Sequence, residues 1–476
     1  MKKLRLLYLA VLLGGCQGFL DEEPRGQIVG TNALTSVEGL NAALTGAYKG
    51  MTHTWFMGFT SPAVLALTMG SDDITTHPAA NKQEFREMDQ FNVTSQNSRT
   101  RVIWNGCYKT IQGANNIINN FEKVPGDKAR INEIVGEAYF LRALSYYWLV
   151  RSWGNIPLML NADYAPEMLT QKYSNPTEVY ALIEADLLKA EELVPNTKRD
   201  LGRPNKGSVK ALLADVYLTQ GGWPINNASK YALAAAKAKE VIDNRAAYRF
   251  AFSPDLAVLW SGTLAGATTS ENVFSFSTSD ANWFTANAIY GNSGTPGEEN
   301  GWDDFFAEIA FFNRFPEGKR KDLTFYTEFK RGNGTVVSWQ NSVTKHPYYR
   351  KYRLQGNNAT FITSMPVQMM RYTHVLLIYA EAQARSGQPN AEAYAALNAV
   401  RQRAGLTDLS GLAGPAFVEA VVNERSWEFA AEWTRWFDLL RLERVESANA
   451  IKAPDDLKPI GTITKAMYWF PVPVGG

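Results

Sequence analysis

Apolar positions recur at i, i+3, i+4 and i+7 over long stretches of this chain, the period of a helix that buries one stripe. In residues 207–222, GSVKALLADVYLTQGG, the stripe is Val209, Leu212, Leu213, Val216 and Tyr217; Ser208 is placed to cap the start, and Gly221 and Gly222 to end it. A second helix is predicted over 228–243, after Pro224, with alanines that let a neighbouring helix approach closely. The same layout returns in 371–389 and 391–406, where Tyr372, Val375, Leu376 and Tyr379 form the stripe and Gly387 and Pro389 break the chain between helices. Residues 36–51 with 102–121, and 131–154 with 176–195, give two further pairs.

Each pair covers about 35 residues, near the tetratricopeptide period. The intervals are uneven, so the pattern predicts a mainly α scaffold of helix hairpins carrying insertions rather than a regular solenoid. Residues 31–244 and 366–445 are assigned to that scaffold within a single body, 31–476. Residues 245–365 differ: rich in Gly, Asn, Ser and aromatics, they hold no sustained helical period. Short strands are expected at 272–277 and 335–339, joined by long loops, and long loops on a rigid scaffold are where binding concentrates. There, Trp283, Tyr290 and Trp302 are the aromatics least explained by a helix stripe, and Trp55 with Phe56 forms a further loop group. For each ring, burial in the core competes with exposure. Trp104, in contrast, opens an amphipathic helix and reads as core.

The amino terminus changes the picture. Lys2, Lys3 and Arg5 precede an apolar run, 6–13, too short to span a bilayer, and Gly14 and Gly15 follow it, the layout of an export signal over 1–15. Leu13-Gly14-Gly15-Cys16 resembles the bacterial lipobox, which makes Cys16 the lipid attachment point and 16–30 a flexible tether. Several acyl chains hold a protein firmly where one, at about 0.8 kcal/mol per buried methylene, holds it marginally. Loss of three cations with the signal moves the formal net charge from +1 to about −2, which suggests neither nucleic acid nor an anionic surface as partner. With Cys107 as the one cysteine besides Cys16, no intramolecular disulfide framework exists, and stability must come from a core, which a chain 45% hydrophobic in composition can build.

Reactive constellations are scarce. Glu424, Glu428 and Glu432 are four apart on a predicted helix, a carboxyl spacing reminiscent of a retaining glycosidase. Glycosidase carboxylates approach from opposite faces, however, and Arg425, Arg435, Asp438 and Arg441 interleave here, which favours an ion-pair network fixing helix packing. Cys107 shares a stripe with Ile103, Ile111, Ala114 and Ile118 and reads as a buried small hydrophobe. His53, His77, His346 and His374 are scattered without metal-ligand spacing. No phosphate loop or nucleophile elbow is present; RGNGTV at 331–336 reads as a turn. The reading is a binding protein without catalytic residues, metal or cofactor. Sugar rings present a C–H face that packs on indole or phenol and hydroxyl edges that need planar polar partners, which the loop aromatics suit.

NERSWEFAAEWTRWFDLLR at 423–441, with MRYTHVLLIYAEAQARSG at 370–387, ALNAVRQRAGL at 396–406, KALLADVYLTQGGWP at 210–224 and YWFPVP at 468–473, resembles the SusD/RagB family of Bacteroidetes surface lipoproteins. The resemblance runs from the lipobox to the C-terminus. It implies a SusD-like fold with four tetratricopeptide-like helix pairs and a less regular insertion, an outer-membrane, cell-surface location, and capture of oligosaccharides or polysaccharides for a SusC-type TonB-dependent transporter. The RagB side of the family implies peptide capture as the alternative. In relatives the stretch after Ser-Asp-Asp/Glu carries ligand contacts; by that resemblance Asp72, Asp73, Asn81, Lys82, Phe85, Arg86, Phe91 and Asn92 become candidates, although no tryptophan occurs there. Turn capping by Asp73 and a surface ion pair for Arg86 are the competing readings.

Overall fold

The computed structural model describes residues 34–161, 170–356 and 358–475, except 54 and 56. The export signal, Cys16, the whole tether and Phe56 lie outside the described residues. Eight helices form four hairpins: α1 (Val37–Thr52) on α2 (Ser98–Asn120), α3 (Lys128–Trp153) on α4 (Pro176–Leu193), α5 (Lys206–Gln220) on α6 (Ser229–Asp243), and α7 (Tyr372–Ser386) on α8 (Ala391–Arg403). Contacts of α2 with α3, α4 with α5 and α6 with α7 stack the pairs in chain order, with residues 244–371 set outside the stack. The α3 helix is buried around nearly its whole circumference from Ile134 onward, because α1, α2 and α4 all pack on it. Cys107 and Trp104 lie on the buried stripe of α2, and burial pushes the Cys107 thiol far up, which suits a packing role. Among the described residues no helix is long and apolar enough to cross a membrane.

Helix starts follow local capping chemistry. Asn175 and Glu178 form a capping box at α4 with Pro176 at its first position. At α5 the cap is Asn205, whose Oδ1 accepts from the Ser208 amide at 2.9 Å; Ser208, expected as the cap, stands three residues inside and returns the box through its hydroxyl. The helix ends at Gly221 as expected.

The strands are short, among them β1 (Ile74–Thr75), β2 (Asn272–Phe276), β3 (Phe306–Ala307), β4 (Glu328–Lys330), β5 (Val336–Ser338) and β6 (Val367–Arg371). They pair antiparallel as β1 with β3, β2 with β6 and β4 with β5. The β2–β6 ribbon, with β2 buried throughout, joins the loop-rich segment to α7.

Two further helices, α9 (Gly414–Glu428) and α10 (Thr434–Arg441), carry the charged motif of the C-terminal third. The chain turns between them through left-handed residues at Ala431 (φ 60°) and Trp433 (φ 51°), so Glu432 sits in the turn rather than on one helix with Glu424 and Glu428. Arg371 at the end of β6 reaches Glu271 at 2.7 Å, Glu428 at 3.0 Å and Glu432 at 2.8 Å, and Arg403 of α8 reaches Glu271 and Glu428 at 2.7 Å each. Arg320 pairs with Glu424 at 2.6 Å. A second centre joins Arg441 to Glu381 and Asp438, and Arg425 to Asp438. The second centre fixes helix packing, the role expected of the interleaved charges, and the first also links the loop-rich segment to the helices. Arg435 reaches outside the motif and bonds Asp72.

Candidate functional site

Three segments far apart in sequence are laced together by main-chain bonds. The Ala288 amide donates to the Thr60 carbonyl at 2.8 Å, Asn287 and Thr363 exchange two bonds at 2.9 Å, and the Asn292 amide donates to Thr360 at 2.8 Å. Residues 279–285 close on themselves: the Ser279 amide donates to the Thr285 carbonyl at 2.9 Å and the Thr285 hydroxyl to the Ser279 carbonyl at 3.0 Å, presenting Trp283 at the tip. Gly301 lets the Trp302 loop fold over 295–296, since a Cβ there would lie 1.8 Å from the Thr295 carbonyl oxygen. Gly291 (φ 76°) serves the same close approach beneath Thr360.

On this lacing four rings meet. Trp55 stacks with Trp283 at 6.1 Å and 23° and touches Trp302 at 6.3 Å; Phe361 lies edge-on to Trp283 at 4.8 Å and stacks with Trp302 at 5.7 Å and 26°. Trp283, Trp302 and Phe361 are 39%, 36% and 38% exposed, and Trp55 is half-buried with a left-handed backbone (φ 74°). Phe284, 45% exposed, extends the patch toward His53 at 5.1 Å. The structure thus gathers Trp55, Trp283 and Trp302, predicted as separate loop aromatics, and adds Phe361, which sequence reasoning missed. Tyr290 is corrected: it is partly covered, packs edge-on to Tyr352 at 5.2 Å within the core, and burial pushes its phenol up.

The candidates after Gly70 mostly serve the fold. Asp72 is buried and takes a bidentate guanidinium from Arg435 at 2.6 and 2.8 Å plus a contact from Arg314; burial opposes its charge, but these cations hold its pKa below the usual range. Asp73 is buried, accepts from the Ser71 hydroxyl at 2.5 Å and the Ala431 amide at 2.8 Å, and burial raises it. Neither faces solvent; Asp72 ties α10, and Asp73 the turn before it, to the 71–75 segment. Lys82 is buried in a pair with Asp304, and Phe85 is buried beneath the Arg99 guanidinium at 4.5 Å. Arg86 is half-buried and donates to the carbonyls of Pro78 and Ala79 rather than to a carboxylate. Asn81 alone of the 81–86 group is an exposed candidate, and Lys82, through Asp304, ties this segment beside Trp302. Phe91 and Asn92 line a different cleft of about 510 Å³ with Met88, Trp436, Met467 and Trp469, which shares no residue with the four-ring patch.

The arrangement offers apolar faces flanked by amides, hydroxyls and the carboxylates of Asp280 and Asp303. Glu424 and Glu428 are buried in guanidinium pairs, Glu432 is held by Arg371 and Lys351, and none lies among the rings. Among the described residues no cluster of three or more His, Cys, Asp or Glu is placed to hold a metal ion.

The family model described as the SusD family matches residues 80–468. SusD-like protein P2 of Formosa agariphila is 28% identical over 492 aligned positions, covering 96% of this chain and 94% of that protein. Among solved structures, a SusD homolog from Bacteroides thetaiotaomicron is similar with a TM-score of 0.79 at 23% identity, covering 94% of this chain and 96% of its own. Surface glycan-binding protein A of the same species, solved in complex with laminarihexaose, is similar with a TM-score of 0.77 at 19% identity, covering 93% and 97%. The helix-pair fold is shared with both. Matched by the family model over most of its length, the chain belongs to the SusD family.

Proposed function

We propose that this protein is a non-catalytic, cell-surface glycan-binding lipoprotein, anchored through Cys16, that captures oligosaccharides on the Trp55–Trp283–Trp302–Phe361 patch and passes them to a SusC-type TonB-dependent transporter. The observation that carries the reading is three rings each more than a third exposed, Trp283 and Trp302 both in contact with Phe361, on loops pinned by main-chain bonds. Exposed flat rings suit the C–H faces of sugars, whereas a peptide would need an open strand edge and side-chain pockets. Similar folds in a laminarin-binding SusD-like protein and in the laminarihexaose complex favour the same ligand class. The transporter partner and the lipid anchor rest on the family and on the N-terminal sequence.

Isothermal titration against a panel of neutral oligosaccharides, with product analysis after long incubation, tests the reading. Binding without release of smaller sugars is expected, and Trp283→Ala and Trp302→Ala each weaken it about tenfold, about 1.4 kcal/mol. Release of shorter products, or binding untouched by both substitutions, contradicts it.

A further inference from the structure

The charge around the rings is one-sided. Residues 278–305 hold five carboxylates, Asp280, Glu298, Glu299, Asp303 and Asp304, and neither lysine nor arginine; 354–370 and 53–71 contain no charged side chain other than a histidine. Lys82 and Arg353 reach in from outside and are already engaged: Lys82 is buried against Asp304, and Arg353 pairs with Glu299 at 2.8 Å. Arg86 spends its guanidinium on main-chain carbonyls. Glu298 accepts from the Val343 amide at 2.7 Å, and Asp303, next to Trp302, accepts from the Tyr348 hydroxyl at 2.5 Å. Asp280 is exposed in the closed 279–285 loop that presents Trp283, and it bonds the Ser364 hydroxyl at 2.7 Å, three residues from Phe361. An exposed carboxylate therefore stands on the loop that carries Trp283 and ties it to the segment that carries Phe361, with no lysine or arginine paired to it among the described residues.

We infer that the ring patch selects uncharged glycans and rejects chains bearing uronate or sulfate, with Asp280 as the residue that sets this preference. The inference rests on the proposed glycan site and names its substrate class. Stacking is indifferent to charge, so rings alone accept neutral and anionic sugars alike. A carboxylate near a bound sugar repels an anionic substituent, and the low-dielectric indole faces reduce the screening that bulk water gives such a pair. Asn at position 280 keeps an acceptor for Ser364 and removes the charge, so the loop is retained.

The test uses laminarin, amylose and cellohexaose, each in native form and oxidised to the carboxylate at C6, so that backbone and linkage stay constant within a pair. Titrated at 20 mM and 500 mM NaCl, the oxidised member of whichever pair binds is expected to be about tenfold weaker at low salt, with the gap shrinking at high salt. Asp280→Asn is expected to close most of the gap at low salt, its melting temperature confirming that the fold is intact. An oxidised glycan that binds as tightly as its native partner, or a gap that Asp280→Asn leaves unchanged, overturns the inference while leaving the glycan site standing. Binding by none of the six overturns both.

Discussion

Glu428 is enclosed by three guanidinium groups, from Arg371, Arg403 and Arg320, and has no exposure of its own. Such pairs contribute little net stability relative to apolar residues, but removing one partner strands the others. Glu428→Ala is expected to destabilise the protein by about 3–5 kcal/mol, read as a lower urea midpoint. That Glu424 and Glu428 belong to ion pairs was legible from the arginines interleaved with them. Their partners were not, because Arg320, Arg371 and Glu271 come from segments that only the fold brings near. The same gap explains Asp72 and Asp73: a sequence shows that a carboxylate exists, not that Arg435, over 360 residues away, buries it. Asp72→Ala is expected to leave Arg435 without its bidentate partner and to lower the melting temperature by several degrees, with glycan affinity changed less than by loss of either exposed tryptophan.

At the level of elements, the helices were readable because a stripe repeating every three to four residues has one physical use, to bury one face. The cap of α5 shifted from Ser208 to Asn205 because both residues supply bonds to that turn, and position alone does not say which is outermost. Asn175→Ala, at the exposed capping box of α4, is expected to cost about 1 kcal/mol in chemical denaturation. The ring loops were legible as loops and as aromatic-rich, but not as one surface. Trp55 and Trp283 meet only because Ala288 bonds Thr60, and Phe361, a lone ring in NNATFITS, offered no pattern to single it out. Tyr290 misled because it sits two residues before Asn292, in the same loop, yet turns inward onto Tyr352. Gly301→Ala cannot keep the present loop path, and it is expected to reduce glycan binding about as much as Trp302→Ala while the helical circular dichroism is preserved.

Across the whole molecule, the buried charges set the response to acid. Burial would raise Glu428 and Glu432, but Arg403 and Arg371 on the first, and Arg371 and Lys351 on the second, hold each near 2 instead of 4.5. Burial, aided by Arg371, lowers His374 from 6.5 to about 3. In both cases the unfolded chain binds more protons than the folded one in the window between the two values. The carboxylate contribution is complete above pH 4.5 and is lost as pH falls toward 2, and the His374 contribution is lost from 6.5 toward 3. Carboxylates that burial raises, Asp73 and Glu308 among them, act in the opposite sense, so the His374 share is read by difference: between pH 7.5 and 4.0 the urea midpoint of His374→Phe is expected to fall less than that of the unaltered protein, and an equal fall contradicts the assignment. What the molecule is built to do depends on the rings that this charged frame supports. The direct measurement is isothermal titration of the protein and of its Trp283→Ala/Trp302→Ala double variant against the same neutral oligosaccharides. The account predicts saturable binding by the first and at least a thirtyfold loss, about 2 kcal/mol, in a folded second; equal affinity in the two would contradict it.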